Sequence, residues 1–321
     1  MDKKYYDVVA LGELLIDFTD GGTSNQGNPV YEANPGGAPC NVLAMLRKLS
    51  KSCAFVGKVG DDIFGHQLKD VLIQVGIPTD HLVMAKDVCT TLAIVKNNAA
   101  GDREFSFYRN PGADMMLTAQ EIPEDLLKNC RIFHFGTLSM THDGVCEATR
   151  KAVTLAKASG SLISFDPNLR PPLWDSLGLA KERILECLGY CDILKIADNE
   201  LGFLTGETDF HQGALILKER FPNIRLINVT AGAEGSYSLY EEQWVFVPGF
   251  LLGGTIETTG AGDTFCASVL NFVLENGLEG LSEERLAAML RFANAAAYLV
   301  TTRKGAIRSM PEKEQVLQLL N

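Results

Sequence analysis

The chain has 321 residues, of which 46% are hydrophobic and 21% are charged, so it can form either one large α/β domain or two domains with buried cores. Its net charge of −11 argues against binding nucleic acid or an anionic membrane through a general positive field. An anionic ligand would therefore have to be held by local cations.

The first residues and the cysteines favour a cytoplasmic protein. The opening stretch "MDKKYYDVVALGELLIDF" contains Glu13 and Asp17 and is followed by no small-residue cleavage site, so we interpret it as a first strand and expect neither a secretion signal nor a membrane span. The eight cysteines are scattered through apolar segments without the spacing of a disulfide framework or a zinc site. We interpret them as buried thiols.

Short β-rich runs alternate with longer segments of helical spacing. The strand-like runs are "DVVALGE", "CAFVGKVG", "RIFHFGTL", "SLISFDPN", "DILKIA" and "IRLINVTAG". Segments such as "APCNVLAMLRKL" and "VCEATRKAVTLAKASG" have helical periodicity. This alternation predicts an α/β fold with a mostly parallel central sheet, helices on both faces and ligands at the carboxyl ends of the strands.

Two segments interrupt the alternation. Residues 14–35 are strand-like and rich in turns, and residues 90–110 have the pattern of a hairpin closed at "NNAAGD". Both fall between major α/β elements. We expect about 12–35 and 90–113 to form a small β-sheet lid that covers the site.

The stretch "NPGGAPCNVLAMLRKL" places glycines at the entry to a helix. Gly36 and Gly37 would let a polyhydroxylated ligand approach the backbone, while Asp17 and Asn41 would hydrogen-bond to its hydroxyls. Tight turns around a βαβ unit explain the same residues about equally well. The motif alone leaves both interpretations open.

A second glycine cluster, "ETTGAGD", leads directly into the apolar stretch "TFCASVLNFVLENG". A turn followed by a capping Asp is one explanation. The alternative is that Gly260, Ala261 and Gly262 present backbone N–H groups to an anion, while Asp263 takes a proton from an attacking hydroxyl. The chain has no G-x-x-x-x-G-K-[ST], H-E-x-x-H or G-x-S-x-G motif, and "GAGDTF" lacks the third glycine of the dinucleotide fingerprint.

The segment "DPNLR" supplies a local cation. Pro167 disfavours helix before Arg170, whose planar guanidinium suits bidentate contact with phosphate oxygens. A surface ion pair is the alternative role for this arginine.

Two long motifs together carry a family resemblance. "GGAPCNVLAMLRKLSKSCAFVGKVGDD" and "ETTGAGDTF" resemble, in the same order, the two signature regions of the ribokinase-like carbohydrate kinases, also called the phosphofructokinase B family. The resemblance covers essentially the whole chain, which implies one kinase domain over 1–321. Within the family, "GELLIDF", "FYRNPGADMML", "DPNLRPPLW" and "FLTG" are most similar to fructokinases.

The resemblance implies ATP-dependent phosphorylation of a primary hydroxyl of a sugar, with fructose as the favoured acceptor. Asp263 would be the base, and the backbone of 260–263 would be the anion hole. The substrate site implied in this way contains Asp17, Gly36, Gly37, Asn41, Tyr108, Arg109, Arg170 and Asp263. Thr258 and Thr259 are expected to stabilise the loop.

The nucleotide site is also implied by the resemblance. The loop "VTAGAEGS" would place Thr230, Gly232 and Gly235 beside the nucleotide, Asn294 would lie near adenine, and Lys195 near the phosphates. Glu200 would organise hydrated Mg²⁺, although Ala197 replaces the Asn that the family commonly has. Glu257 replaces an Asp beside the monovalent-cation site of the family, which weighs against K⁺ activation without excluding it.

Several alternatives stay open. A 2-keto-3-deoxygluconate kinase is the nearest enzyme rival, because Arg109 could hold a substrate carboxylate; ribokinase or nucleoside kinase activity follows. A sugar-binding regulator without catalysis is the rival from another class, since a fold does not settle function. The exposed edges of the lid predict a homodimer formed through it.

Overall fold

The computed structural model describes residues 5–97 and 103–321, and it confirms the predicted alternation of strands and helices. The strands of the main sheet are β1 (Tyr6–Leu11), β4 (Cys53–Gly60), β5 (Leu82–Ala85), β8 (Cys130–Gly136), β9 (Leu162–Asp166), β10 (Ile193–Ala197), β11 (Leu226–Thr230), β12 (Gly235–Tyr240) and β13 (Gln243–Pro248). The helices are α1 (Ala38–Lys48), α2 (Ile63–Gln74), α3 (Glu124–Lys128), α4 (Asp143–Ala158), α5 (Leu177–Leu188), α6 (Asp198–Thr205), α7 (Phe210–Arg220), α8 (Ala261–Asn276), α9 (Glu283–Thr301) and α10 (Lys313–Leu320).

These strands form one nine-stranded sheet in the order β13-β12-β11-β10-β9-β8-β1-β4-β5. Neighbouring strands from β11 to β5 run parallel, and β12 and β13 complete the sheet as an antiparallel edge. Parallel strands place all their carboxyl ends on the same edge, where the motif residues that follow β9 and β10 therefore meet.

The central strand β1 shows why helices cover both faces of the sheet. Val8 and Ala10 belong to the core under α1, α2, α8, α9 and α10, whereas Val9 and Leu11 belong to the core under α3 to α7. Successive side chains of a strand point to opposite faces, so a continuous apolar run must be buried on both sides.

The interrupting segments form a separate four-stranded sheet, as predicted for the lid. It consists of β2 (Leu15–Thr23), β3 (Pro29–Gly36), β6 (Leu92–Asn97) and β7 (Arg103–Tyr108), in the order β3-β2-β6-β7. The predicted closing turn "NNAAGD" lies mostly outside the described residues. The lid strand β2 pairs with β3 in antiparallel register, with Asp17 opposite Asn34.

Candidate active site

A cavity of about 810 Å³ lies between the lid and the carboxyl end of the main sheet. The lid contributes β2, β6 and β7, and the main domain contributes the start of α1, the loop after β9 and the start of α8. The predicted site residues that line it are Asp17, Gly37, Asn41, Arg170, Lys195, Gly260, Gly262 and Asp263. Residues from both predicted motifs therefore face one space.

Asp263 is the third residue of α8 and is only 8% exposed. Its Oδ2 accepts a hydrogen bond of 2.7 Å from Nδ2 of Asn41, which lies on α1. Burial raises the pKa of the Asp263 carboxyl to about 6, with the Asp166 carboxylate adding to the shift, while Asn41 and the charges of Lys195 and Arg170 oppose it. A carboxylate with this pKa is ionised near neutrality and can still accept a proton.

The backbone before Asp263 explains why glycines stand there. Gly260 caps α8 with φ 79°, in the left-handed region that favours glycine, and a Cβ at this position would lie 2.9 Å from the Cβ of Ala306. A Cβ on Gly262 would lie 3.1 Å from Nζ of Lys195. The Ala261 N–H donates a long hydrogen bond of 3.3 Å to the Thr258 carbonyl. The start of α8 thus combines helix N–H groups with a nearby ammonium, as an anion site requires.

Lys195 forms a buried ion pair beneath this helix start. Its Nζ lies 3.1 Å from Oδ2 of Asp166, so the last residue of β9 meets a residue of the neighbouring strand β10. Burial alone would lower the pKa of Lys195, but the carboxylates of Asp166 and Glu200 raise it above its ordinary value. Lys195 therefore remains a cation at the cavity wall.

Both carboxylate oxygens of Glu200 accept hydrogen bonds from backbone N–H groups. Oε1 accepts from the Leu169 N–H at 2.6 Å and Oε2 accepts from the Ala197 N–H at 2.9 Å. Burial raises the pKa of this carboxyl and the charge of Lys195 opposes the rise. Glu200 thereby anchors the loop that carries Arg170.

Arg170 is half-buried and faces the cavity from the loop after β9. Its Nη1 donates a hydrogen bond of 3.3 Å to the Leu169 carbonyl, which uses one of its five donors. Its charge is felt at Asp263, whose pKa it lowers. The position fits contact with phosphate oxygens better than the alternative of a surface ion pair.

The substrate end of the cavity is built around close backbone approaches. A Cβ on Gly36 would collide with Oδ2 of Asp17, and a Cβ on Gly37, where φ is 124°, would collide with the Glu13 carbonyl oxygen. Gly36 itself does not line the cavity; it allows Asp17 to do so. Within the described part of the chain, the buried Asn41 Oδ1 has no hydrogen-bond partner, so it can accept from a ligand hydroxyl.

Two predicted substrate residues are placed elsewhere. Tyr108 is 63% exposed and is not part of the cavity wall. Arg109 is buried against Asp114, with Nη2 2.7 Å from Oδ2, and it also donates to Thr141 and to the Leu138 carbonyl. The donors of Arg109 are thus committed within the protein, and its contact with a substrate carboxylate stays a prediction that this geometry does not support.

Four of the predicted nucleotide residues lie outside the described cavity, between the end of β11 and the start of β12 and on α9, whereas Lys195, Gly260 and Gly262 line it. Thr230 ends β11, Gly232 is exposed with φ 54°, and Gly235 lets the backbone pass close to the Val247 carbonyl. Asn294 accepts from Ser236 Oγ at 2.8 Å and donates to the carbonyls of Val247 and Pro248. Asn294 therefore braces the β12–β13 hairpin with its amide, and its position near adenine stays a prediction.

Glu257 is turned towards the end of α9. Its Oε2 accepts from the Gly305 N–H at 3.3 Å, while its own N–H and that of Ile256 donate to the Thr301 carbonyl. The extra methylene is thus accommodated by a contact with the 301–305 turn.

The sequence reasoning missed several residues that line the cavity. They include Glu13, Leu138 and Asn168, with Leu15, Thr19, Val95, Ser106 and Phe107 from the lid. Glu13 had a signal, since an acid between two apolar strand segments is unusual unless its carboxylate has a partner. The lid residues carry no local signal, because only the packing of the lid brings them to the site, whereas Leu138 and Asn168 come from the segments that follow β8 and β9.

Known proteins resemble this chain over nearly its whole length. The family model described as pfkB family carbohydrate kinase matches residues 6–313. The chain is 40% identical over 316 residues to Fructokinase-2 of Solanum habrochaites, covering 98% of this chain and 95% of that protein. A fructokinase from Xylella fastidiosa with bound ATP has a TM-score of 0.89 at 29% identity, covering 98% of each chain.

A second solved structure was determined with a sugar and a nucleotide bound. A fructokinase from Vibrio cholerae O395, in a form with fructose, ADP and calcium bound, has a TM-score of 0.87 at 29% identity, covering 98% of this chain and 99% of that one. In the described residues, no helix is long and apolar enough to cross a membrane. The match of the family model over nearly the whole length shows that this chain belongs to the pfkB family of carbohydrate kinases.

Proposed function

We propose that this chain is a fructokinase that transfers the γ-phosphoryl group of ATP to the primary 6-hydroxyl of fructose. The observation that carries the proposal is the pair formed by Asp263 and Asn41, which holds a buried carboxylate at the helix start facing the cavity. The fructokinase relatives support the choice of sugar and nucleotide.

In the proposed reaction, the fructose hydroxyl oxygen forms a bond to the γ-phosphorus of ATP. The bond from that phosphorus to the β–γ bridging oxygen breaks, ADP leaves, and the hydroxyl proton passes to Asp263. The N–H groups at the start of α8, with Arg170 and Lys195, stabilise the charge on the phosphoryl oxygens. Asp17 and Asn41 orient the sugar.

A divalent cation fits the donor set only in a hydrated form. Both Glu200 oxygens already accept backbone N–H groups, and the neighbouring Asp166 pairs with Lys195. Asp166 and Glu200 would therefore hold Mg²⁺ through water, as is common for Mg²⁺ bound with nucleotide phosphates. When bound, the ion would neutralise phosphate charge. Potassium stays a weaker expectation, because Glu257 contacts Gly305.

Acceptor preference tests the proposal directly. An ADP-release assay should give fructose a specificity constant at least about 10-fold above those of 2-keto-3-deoxygluconate, ribose and nucleosides, because Asn41 Oδ1 can accept from a sugar hydroxyl, whereas Arg109 is committed to Asp114 and not to a substrate carboxylate. The phosphorylated product is identified by NMR. A higher constant for 2-keto-3-deoxygluconate would establish the rival kinase, and sugar binding without ADP release would establish the regulator.

A homodimer formed through the lid is a further part of the proposal. Strand β3 is an edge of the lid sheet and exposes Val30 and Tyr31, a surface that a symmetric partner could cover. Light scattering at micromolar concentration should give twice the chain mass of 35.0 kDa, and Tyr31→Asp should shift it towards the monomer. A fully active wild-type monomer would refute this part.

A cytoplasmic location also belongs to the proposal. Seven of the eight cysteines are buried, as predicted, and only Cys89 is exposed. Burial raises the pKa values of Cys40, Cys187 and Cys191 well above the ordinary thiol value, so these thiols stay protonated in a reducing compartment.

A further inference from the structure

Each of the four lid strands has one end in a common buried region, which we call the base of the lid. Glu13 precedes β2, Gly37 follows β3, Thr91 precedes β6 and Arg109 follows β7. Asp114 joins two of these points, because it accepts from Thr91 Oγ1 and pairs with Arg109. Glu13 connects the other two strand ends, the start of β2 and the end of β3.

Glu13 holds the start of α1 through both its side chain and its backbone. The side chain is buried, at 4% exposure for the residue, and Oε1 accepts from the Ala38 N–H at 2.7 Å. The Glu13 carbonyl packs so closely on Gly37 that a Cβ there would collide with it. Since α1 has no acidic residue in its own first turn, Glu13 supplies the anionic partner from across the base.

The surroundings of Glu13 make its charge sensitive to pH near neutrality. Burial raises the pKa of Glu13 to about 7; Asp114 adds to the rise, whereas the Ala38 hydrogen bond and Arg109 oppose it. Burial raises the pKa of the Cys40 thiol, on α1, and the charge of Glu13 adds to the rise. Burial makes ionised Glu13 costly for stability, yet only the ionised form makes a charge-assisted bond to Ala38.

The start of α1 leads directly to the catalytic pair. Asn41 lies three residues after Ala38 and donates to Asp263 from the first turn of the helix. Any movement of the helix start therefore changes the distance between the Asn41 amide and the Asp263 carboxylate.

We propose that Glu13 is a positioning residue whose ionised carboxylate fixes the start of α1 and thereby sets Asn41 and Asp263 for phosphoryl transfer. The proposal rests on the proposed function, for which Asp263 is the base. Glu13 acts through Ala38 and Asn41 and needs no contact with the reacting atoms.

The test compares Glu13→Gln with the wild type at about pH 6 and about pH 8. The amide keeps the shape and an acceptor oxygen but carries no charge, so it imitates protonated Glu13. We expect kcat of the two forms to agree within about twofold at the lower pH and to differ roughly fivefold at the higher pH, since charge-assisted hydrogen bonds are about twice as strong as neutral ones. KM for the sugar should change less than kcat, because Glu13→Gln leaves the sugar-orienting side chains of Asp17 and Asn41 in place.

A measurement of stability distinguishes a positioning role of Glu13 from a purely structural role. Glu13→Gln removes the cost of burying an ionised carboxylate, so its melting temperature at about pH 8 should be no lower than that of the wild type while kcat falls. Asp209→Asn serves as a matched control, because Asp209 caps α7 through the Gln212 N–H and does not line the cavity. It should leave the pH dependence of kcat unchanged.

Two results would overturn the proposal: wild-type kcat in Glu13→Gln at the higher pH, or the same fractional loss at both pH values. At each pH, the ratio of the kcat of Glu13→Gln to that of the wild type is measured with whichever acceptor the wild type phosphorylates. Failure of fructose alone would thus overturn the proposed acceptor and leave the Glu13 comparison intact.

Discussion

Replacing Asp263 with Asn is expected to lower kcat by roughly 10² to 10⁴-fold, the usual effect of removing a general base. An amide cannot take up the hydroxyl proton, but it can still accept the hydrogen bond from Asn41. The helix N–H groups, Arg170 and Lys195 are unchanged. Calorimetric affinities for fructose and ATP should therefore stay within about threefold of the wild type.

The same variant should not lose stability at about pH 8. The folded-state pKa of Asp263 is raised from 3.8 to about 6, so its contribution to stability is fully present below the lower value and is lost as pH rises through the upper one. Asn removes this loss, which is on the order of 1–3 kcal/mol for a shift of this size. Thermal unfolding at about pH 8 and about pH 4 measures the difference.

Asp143→Asn is the matched control for Asp263→Asn, because Asp143 also lies in the first turn of a helix but is exposed to solvent. It should keep normal turnover. A folded Asp263→Asn protein with a tenth or more of normal kcat would show that Asp263 only caps α8, and the proposed mechanism would fail.

Replacing Lys195 with Met is expected to lower the free energy of unfolding by about 3–5 kcal/mol, the typical cost of breaking a buried ion pair by removing one partner. Asp166 and Glu200 would then be buried without the ammonium that compensates them. Burial raises the pKa of Glu200, so this carboxyl can take up a proton as pH falls, and the deficit should be smaller at about pH 5 than at about pH 8. Urea unfolding at both pH values measures it.

Activity should also fall in Lys195→Met, since the ammonium lies beside Gly262 at the start of α8. The double variant Lys195→Met with Asp166→Asn is the control, because it removes one of the two uncompensated charges and should recover part of the stability without recovering turnover. A stability deficit below about 1 kcal/mol, or one independent of pH, would contradict the structural importance of the pair.

The sequence alone determined the architecture and the motif residues at the start of α8. The strands are apolar runs such as "DVVAL", and burial on both faces of the sheet follows from that pattern. The glycine at position 260 is a local feature too, because a left-handed backbone is a property of a few adjacent residues. These predictions needed no knowledge of distant contacts.

Only the tertiary structure decided which polar side chains are hydrogen-bonded within the protein and which can contact a ligand. Asn41 and Asp263 are 222 residues apart in sequence yet form one pair, while Arg109 is committed to Asp114 and Asn294 to the β12–β13 hairpin. A motif identifies the donors and acceptors a residue has, but a buried polar group must pair with whatever neighbour the packing provides. For the same reason Glu13 acquires its role only where the lid strands meet α1, because its partner Ala38 is 25 residues away.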